Sequence, residues 1–410
     1  MTRPRPVSCG EPRPHANSRD LPSAKAGSPS TAAALLATAS LLILAVPVLV
    51  TGGCSSAPFG YSYTSASWPT ECGDFCRTGS REAEAHPPFF LKWTAETGLA
   101  PAGPLAVLED AVAGSFLRRT VALYALGSGE EIWKRHLRID PSCGPSVSNG
   151  MLFVSTNVPE GRTYCLDIRD GKALWSTETG EAAGAPSAVS GSILLCTRSG
   201  RLVRLGIADG KLQWARRVAQ LAECSPGIEG ETGVTTTLGD TVVAFSTRTG
   251  EVLWTHKAPG AQFGSPAVCG GLCLFSTGDG EAVCLDLEGG RELWRTKLGG
   301  RCMSSPAVRD SFAYFTDLGG HLSCFSVSTG EKVWDKTLDS PMRAGPTVSS
   351  LYIYTASLGG RVSCMDRETG DLLWSQAVEG PFETPPAVAE MYLIVVSAKG
   401  KIYCFKEDLG

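Results

Sequence analysis

Fifteen cysteines and five histidines are the side chains of this 410-residue chain best suited to redox or metal chemistry. Their spacing argues against both. Cys165, Cys284, Cys324, Cys364 and Cys404 recur at one position of a repeat, the last four at intervals of 40 residues, so each belongs to its own unit and fills a small apolar slot. Units packed about 10 Å apart put such thiols beyond disulfide reach. Cys143 and Cys224 sit likewise in a small-residue pair before a recurrent proline. Cys269 and Cys273 flank Gly270–Gly271 and could pair across a hairpin, and Cys72 and Cys76 could close a short loop or stay reduced. Thirteen cysteines follow Cys54, an odd number, so they cannot all pair within one chain. His15, His86, His136, His256 and His321 do not pair at i, i+4 or fall at metal-site spacing from Cys or Asp. Asp167, Asp286 and Asp366, each just before a turn, fit turn-capping acceptors better than calcium ligands. Neither a G-x-S-x-G elbow nor a phosphate-cradling loop occurs. The sequence therefore assigns no catalytic residue, cofactor or metal.

What these residues belong to is set by a period. Trp133, Trp175, Trp214, Trp254, Trp294, Trp334 and Trp374 follow one another at 42, 39, 40, 40, 40 and 40 residues, and Trp93 lies 40 before the first. Each of the later seven has a Gly four places earlier (Gly129, Gly171, Gly210, Gly250, Gly290, Gly330, Gly370), where a tight turn needs positive φ. A second marker keeps phase: two small residues, Pro, any residue and usually Val, at Pro104, Pro145, Pro186, Pro226, Pro266, Pro306, Pro346 and Pro386. Alternating runs such as LCLFST, EAVCLDL and RELWRTKL supply the remaining strands. Four strands per 40 residues is a propeller blade. The expected fold is all-β: an eight-bladed β-propeller of four-stranded antiparallel blades over residues 89–410. The last repeat stops before its Trp strand, whereas Phe89–Trp93 is a Trp strand without the preceding three, so the N-terminal strand should complete the final blade and close the ring.

The rest of the chain carries an address. Residues 1–30 hold five basic and two acidic side chains, and Thr31–Val50 is uncharged, the pattern of an export signal over residues 1–53. Val50–Cys54 is similar to a lipobox, with Thr51 where Leu is usual, which makes Cys54 the candidate lipidation site; an uncleaved anchor is the alternative. Residues 54–88, rich in Ser, Pro, Gly and Thr, have linker composition and are expected to form a flexible tether. Of the net charge of −4, the first 30 residues contribute +3, leaving −7 on the body, which gives nucleic acid no electrostatic footprint.

The TG-x-x-x-W turns and small-small-Pro-x-Val markers resemble the quinoprotein-like (PQQ-like) repeat family. The resemblance has two branches. Quinoprotein dehydrogenases hold pyrroloquinoline quinone and calcium on the axis beneath a ring made by two adjacent cysteines; no Cys-Cys occurs here, and repeats of 39 to 42 residues leave no room for catalytic insertions. The other branch comprises exported, non-catalytic propellers such as the lipoprotein subunit of the outer-membrane β-barrel assembly machinery. It implies a monomeric, lipid-anchored scaffold facing the periplasm that binds other cell-envelope proteins, without a cofactor. That branch's partner loop is replaced here by Arg216–Glu223, so no partner contact is carried over. The alternative function is a small-molecule or glycan binder, or a diverged enzyme, using Gln262, Arg301, Arg343 and Phe382 at the axis mouth.

Overall fold

The computed structural model describes residues 68–408 except 83, 259 and 261. The signal, the apolar run and Cys54 lie outside the described residues. Thirty-two strands form eight four-stranded antiparallel sheets in a ring. The two middle strands of each blade are buried on both faces because a neighbouring blade covers each side: Glu281–Asp286 keeps its four central residues buried. The outer strands alternate between buried and exposed instead, as in Glu131–His136, where Trp133 alone is buried.

The ring closes as the sequence predicts. Phe89–Glu96 pairs antiparallel with Lys401–Glu407, from Phe89 opposite Glu407 to Glu96 opposite Lys401. The register slips between Leu91 and Trp93, and the same slip precedes the Trp of the other blades, for example between Cys284 and Leu285 facing Glu292–Trp294. The bulge turns each tryptophan inward. Cys165, Cys284, Cys324, Cys364 and Cys404 sit directly across from Trp175, Trp294, Trp334, Trp374 and Trp93, in the small slot expected of them.

Tryptophan and glycine of the repeat turn out to be two halves of one contact. The indole of each blade lies over the turn glycine of the next: a Cβ on Gly129 would come within 2.5 Å of Trp93, and one on Gly330 within 2.6 Å of Trp294. These glycines also have φ of +76° and +72°, so both the turn and the indole exclude a side chain. In five of these seven contacts the indole N–H also donates to a carbonyl three residues before that glycine, as Trp93 does to Leu126 (2.7 Å), Trp133 to Ile168 (2.7 Å) and Trp294 to Val327 (2.6 Å). Where the ring closes there is no such glycine, and Trp374 packs edge-on against Phe89 and Phe405 at 5.0 and 5.4 Å.

The expectation of a flexible tether over residues 54–88 fails for its second part. Residues 68–88 pack into the propeller, with Trp68 and Arg77 fully buried. The innermost strands line the axis with unpaired amides that need acceptors, and this segment winds past them supplying one carbonyl at a time. Val147 donates to Pro69 (2.8 Å), Ile228 to Phe75 (2.9 Å), Val268 to Cys76 (2.8 Å), Val308 to Thr78 (2.7 Å) and Val348 to Gly79 (2.9 Å); Trp68 and Val107 exchange a pair at 2.6 Å. The third blade is met by a side chain. Arg77 donates to the Ala185 carbonyl (3.0 Å) and Ser187 Oγ (2.8 Å), and back to Thr70 Oγ1 and the Glu71 carbonyl.

All thirteen cysteines of the described residues are free thiols, which leaves Cys72/Cys76 and Cys269/Cys273 unpaired. Burial pushes the thiols up, Cys165 and Cys284 to about 12, so they stay protonated and neutral.

Candidate functional site at the propeller axis

The segments that join one blade to the next converge on the axis at one end of the ring. Space there is short. The residue before seven of the eight marker prolines is small for that reason, Pro385 before Pro386 being the exception: Gly103 and Gly144 belong to neighbouring blades whose backbones leave no room for a Cβ, and a Cβ on Gly345 would come within 2.5 Å of the Ser305 carbonyl. In the fourth, fifth and sixth blades the same position holds Ser225, Ser265 and Ser305, 40 residues apart. Their hydroxyls tie the blades together, since the Ser225 amide donates to Ser265 Oγ (3.1 Å) and the Ser265 amide to Ser305 Oγ (2.8 Å).

This serine arc cradles a carboxylate from the N-terminal segment. Ser225 Oγ donates to one oxygen of Glu71 at 2.7 Å and Ser265 Oγ to the other at 3.3 Å. Above Glu71 a cavity of about 390 Å³ opens, walled by Phe263, Met303, Glu223, Arg343, Glu383 and Thr384. The N-terminal segment is its floor, so a passage through the disc becomes a well. Two of the wall acids already have cations: Glu223 pairs with Arg198, and Glu383 lies 3.8 Å from Arg343. Glu71 is held by hydroxyls, while Arg77 beside it turns its guanidinium to carbonyls and the Thr70 and Ser187 hydroxyls. The hydroxyl of Thr384 is buried without a partner among the described residues. Cys72, also on the floor, has its thiol pushed up to about 12 by burial and then by the Glu71 charge, so it supplies no thiolate. Chemically, the well accepts hydrogen bonds and positions positive charge.

The four residues expected at the axis mouth separate. Arg343 lines the well. Phe382 is fully buried between blades, edge-on to Tyr403 at 6.1 Å, because its inter-blade segment turns the ring into the core. Gln262 is also buried and donates to the carbonyls of Ala258 and Gly260 in its own loop. Arg301 is exposed and, among the described residues, its side chain reaches the Gly278 carbonyl at 3.4 Å. The sequence reading missed Glu71, which lies outside the repeat. It also missed the serine arc, although its 40-residue spacing was visible. The pairing of His321 with Asp317, four residues earlier, was missed too: the buried carboxylate holds the imidazole Nδ1 at 3.1 Å and accepts from the Gly319 and His321 amides. A second hollow, between the third and fourth blades, is lined by Arg217–Leu221 and Thr237–Gly239.

No group of three or more His, Cys, Asp or Glu among the described residues is placed to hold a metal. Comparison with known proteins bears first on the ring. A family model described as outer membrane protein assembly factor BamB matches residues 117–232, 238–341 and 318–410. No curated protein matches the chain. Among solved structures, BamB from Moraxella catarrhalis superposes with a TM-score of 0.67 at 18% identity, covering 78% of this chain and 100% of its own. A europium-containing methanol dehydrogenase gives 0.71 at 13% identity, covering 83% and 98%, and the quinohemoprotein alcohol dehydrogenase of Comamonas testosteroni 0.70 at 13%, covering 83% and 80%. At these identities the likenesses establish the fold, which BamB and two dehydrogenases share. The matched repeats, the Trp-on-Gly contacts and the closed eight-bladed ring together place the chain in the PQQ-like β-propeller family, under the model that describes the assembly factor BamB.

Proposed function

We propose that the protein is a non-catalytic, membrane-tethered propeller scaffold that holds other cell-envelope proteins during outer-membrane protein assembly. The observation that carries this reading is the family match, which runs over the repeats from residue 117 to residue 410. The apolar run Thr31–Val50 and Cys54 behind it support an exported body anchored by a lipid on Cys54 and facing the periplasm. The dehydrogenase reading lacks support in the residues: the chain has no adjacent cysteines, and the Cys72 thiol on the floor of the well is held neutral.

Affinity capture from detergent-solubilised membranes, through a tag at Gly410, tests the reading. Recovery of an outer-membrane barrel or its assembly proteins supports it, and copurification of a quinone overturns it. The anchor has its own test. Cys54→Ala should abolish labelling by a fatty-acid analogue and leave unprocessed precursor, and labelling that survives the change removes Cys54 from consideration.

A further inference from the structure

We propose that the axial well is a receptor for one arginine side chain presented by the partner protein. The inference rests on the scaffold reading above and gives the partner a chemistry. Glu71 carries it. A carboxylate has about four acceptor directions, and the serine hydroxyls occupy one on each oxygen, leaving the others for a donor in the well. The other acids of the wall are engaged by Arg198 and Arg343, so the well has a place for one cation. Ca²⁺ takes six to eight oxygen ligands, and the single carboxylate here does not meet that demand.

The walls favour guanidinium over ammonium. Phe263 and Met303 flank the cavity, and a planar, weakly hydrated guanidinium stacks on an aromatic face while its fork grips a carboxylate with two N–H groups. The buried Thr384 hydroxyl offers a further acceptor along the same wall. A volume of about 390 Å³ lies at the lower end of the roughly 300–1,000 Å³ of pockets built around whole organic ligands. It suits an extended side chain entering from one end of the disc, with the floor formed by residues 71–72 setting the depth.

The test uses the full chain solubilised in mild detergent and the blocked tripeptide acetyl-Gly-Arg-Gly-amide, titrated by calorimetry and by NMR. Saturable binding is expected, at least tenfold weaker for the citrulline peptide, which keeps the shape and loses the charge, and severalfold weaker for the lysine peptide. Glu71→Gln should weaken the arginine peptide at least tenfold with no change in thermal midpoint. Phe263→Leu, a substitution in the wall that leaves the floor intact, should weaken it severalfold and serves if Glu71→Gln fails to fold. Equal binding of the arginine and citrulline peptides, or binding unchanged in both variants, overturns the proposal. The peptide measurement needs no partner, so its failure is distinguishable from failure of the scaffold reading, which membrane capture with the wild-type chain decides. If both hold, Glu71→Gln should reduce the captured partner in proportion.

Discussion

In the ring, each blade meets a copy of itself: Trp254 lies over Gly290 as Trp294 lies over Gly330, and the Ser225 amide finds Ser265 as the Ser265 amide finds Ser305. The segment 68–88 meets the eight blades from unevenly spaced positions: backbone carbonyls of Trp68, Pro69, Phe75, Cys76, Thr78 and Gly79 serve six of them, the Arg77 guanidinium serves the third out of order, and the His86 amide reaches Glu407 of the last. Both regions satisfy buried polar groups and cover apolar surface, yet only one leaves a period in the sequence. Contacts between like and like are written 40 residues apart, whereas a strap that touches each blade once has as many environments as residues, and its composition resembles a linker.

Breaking the ring should have the largest effect. A truncation starting at residue 100 loses Phe89–Glu96 and leaves Lys401–Glu407 as an unpaired edge beside uncovered apolar side chains, so it should aggregate on size-exclusion chromatography. One starting at residue 86 keeps the closing strand but loses the strap, and should remain a soluble ring of lower melting temperature. Equal melting of the two would remove the N-terminal strand from the ring.

Alkaline pH should come next, and it acts on the ring more than on the strap. Thiols held above their ordinary value of 9 by burial, Cys165, Cys284, Cys364 and Cys404 among them, favour the neutral form in the folded state. Their contribution to stability is complete below about pH 8.5–9 and is lost as pH rises toward the folded values. Each costs up to about 1.4 kcal/mol per pH unit in that window. Thirteen free thiols in the described residues share this direction, so circular dichroism should show a melting temperature that falls steadily as pH rises from 9 to 11. A melt flat from pH 8 to 11 would contradict the burial assigned to them.

In the strap, Arg77→Ala removes five hydrogen bonds and leaves the Ala185 and Pro226 carbonyls and the Ser187 hydroxyl without their donor. A loss of about 3–5 kcal/mol is expected from urea denaturation. Smallest is the difference between two tryptophans of the ring. Trp254 donates to Leu287 at 2.8 Å, whereas the Trp214 N–H has no partner among the described residues, because Arg204 occupies the Thr247 carbonyl. Trp254→Phe should therefore cost about 1 kcal/mol more than Trp214→Phe.

Blade number, strand count and the closing strand were all legible because each depended on a feature repeated eight times. The role of the turn glycine was only half legible: positive φ follows from a turn, but the indole of the preceding blade is a contact between repeats that a single unit does not display. At the axis the markers located the inter-blade segments without fixing which way their side chains turn. Phe382 and Arg343 occupy comparable segments, and one is core while the other lines the well. Glu71 was out of reach, since its partners lie 154 and 194 residues away.

The closing strand also imposes an order of events. Trp93 is synthesised early, and its partner Cys404 comes 311 residues later, an interval of roughly 15–60 s at about 5–20 residues per second. Through that interval seven blades can form in succession while Phe89–Glu96 waits with neither edge paired. The bonds from Trp68 and Pro69 to Val107 and Val147 become possible as soon as the first two blades exist. They anchor the waiting strand's own leader at the centre of the growing arc, and so shorten the search with which synthesis ends.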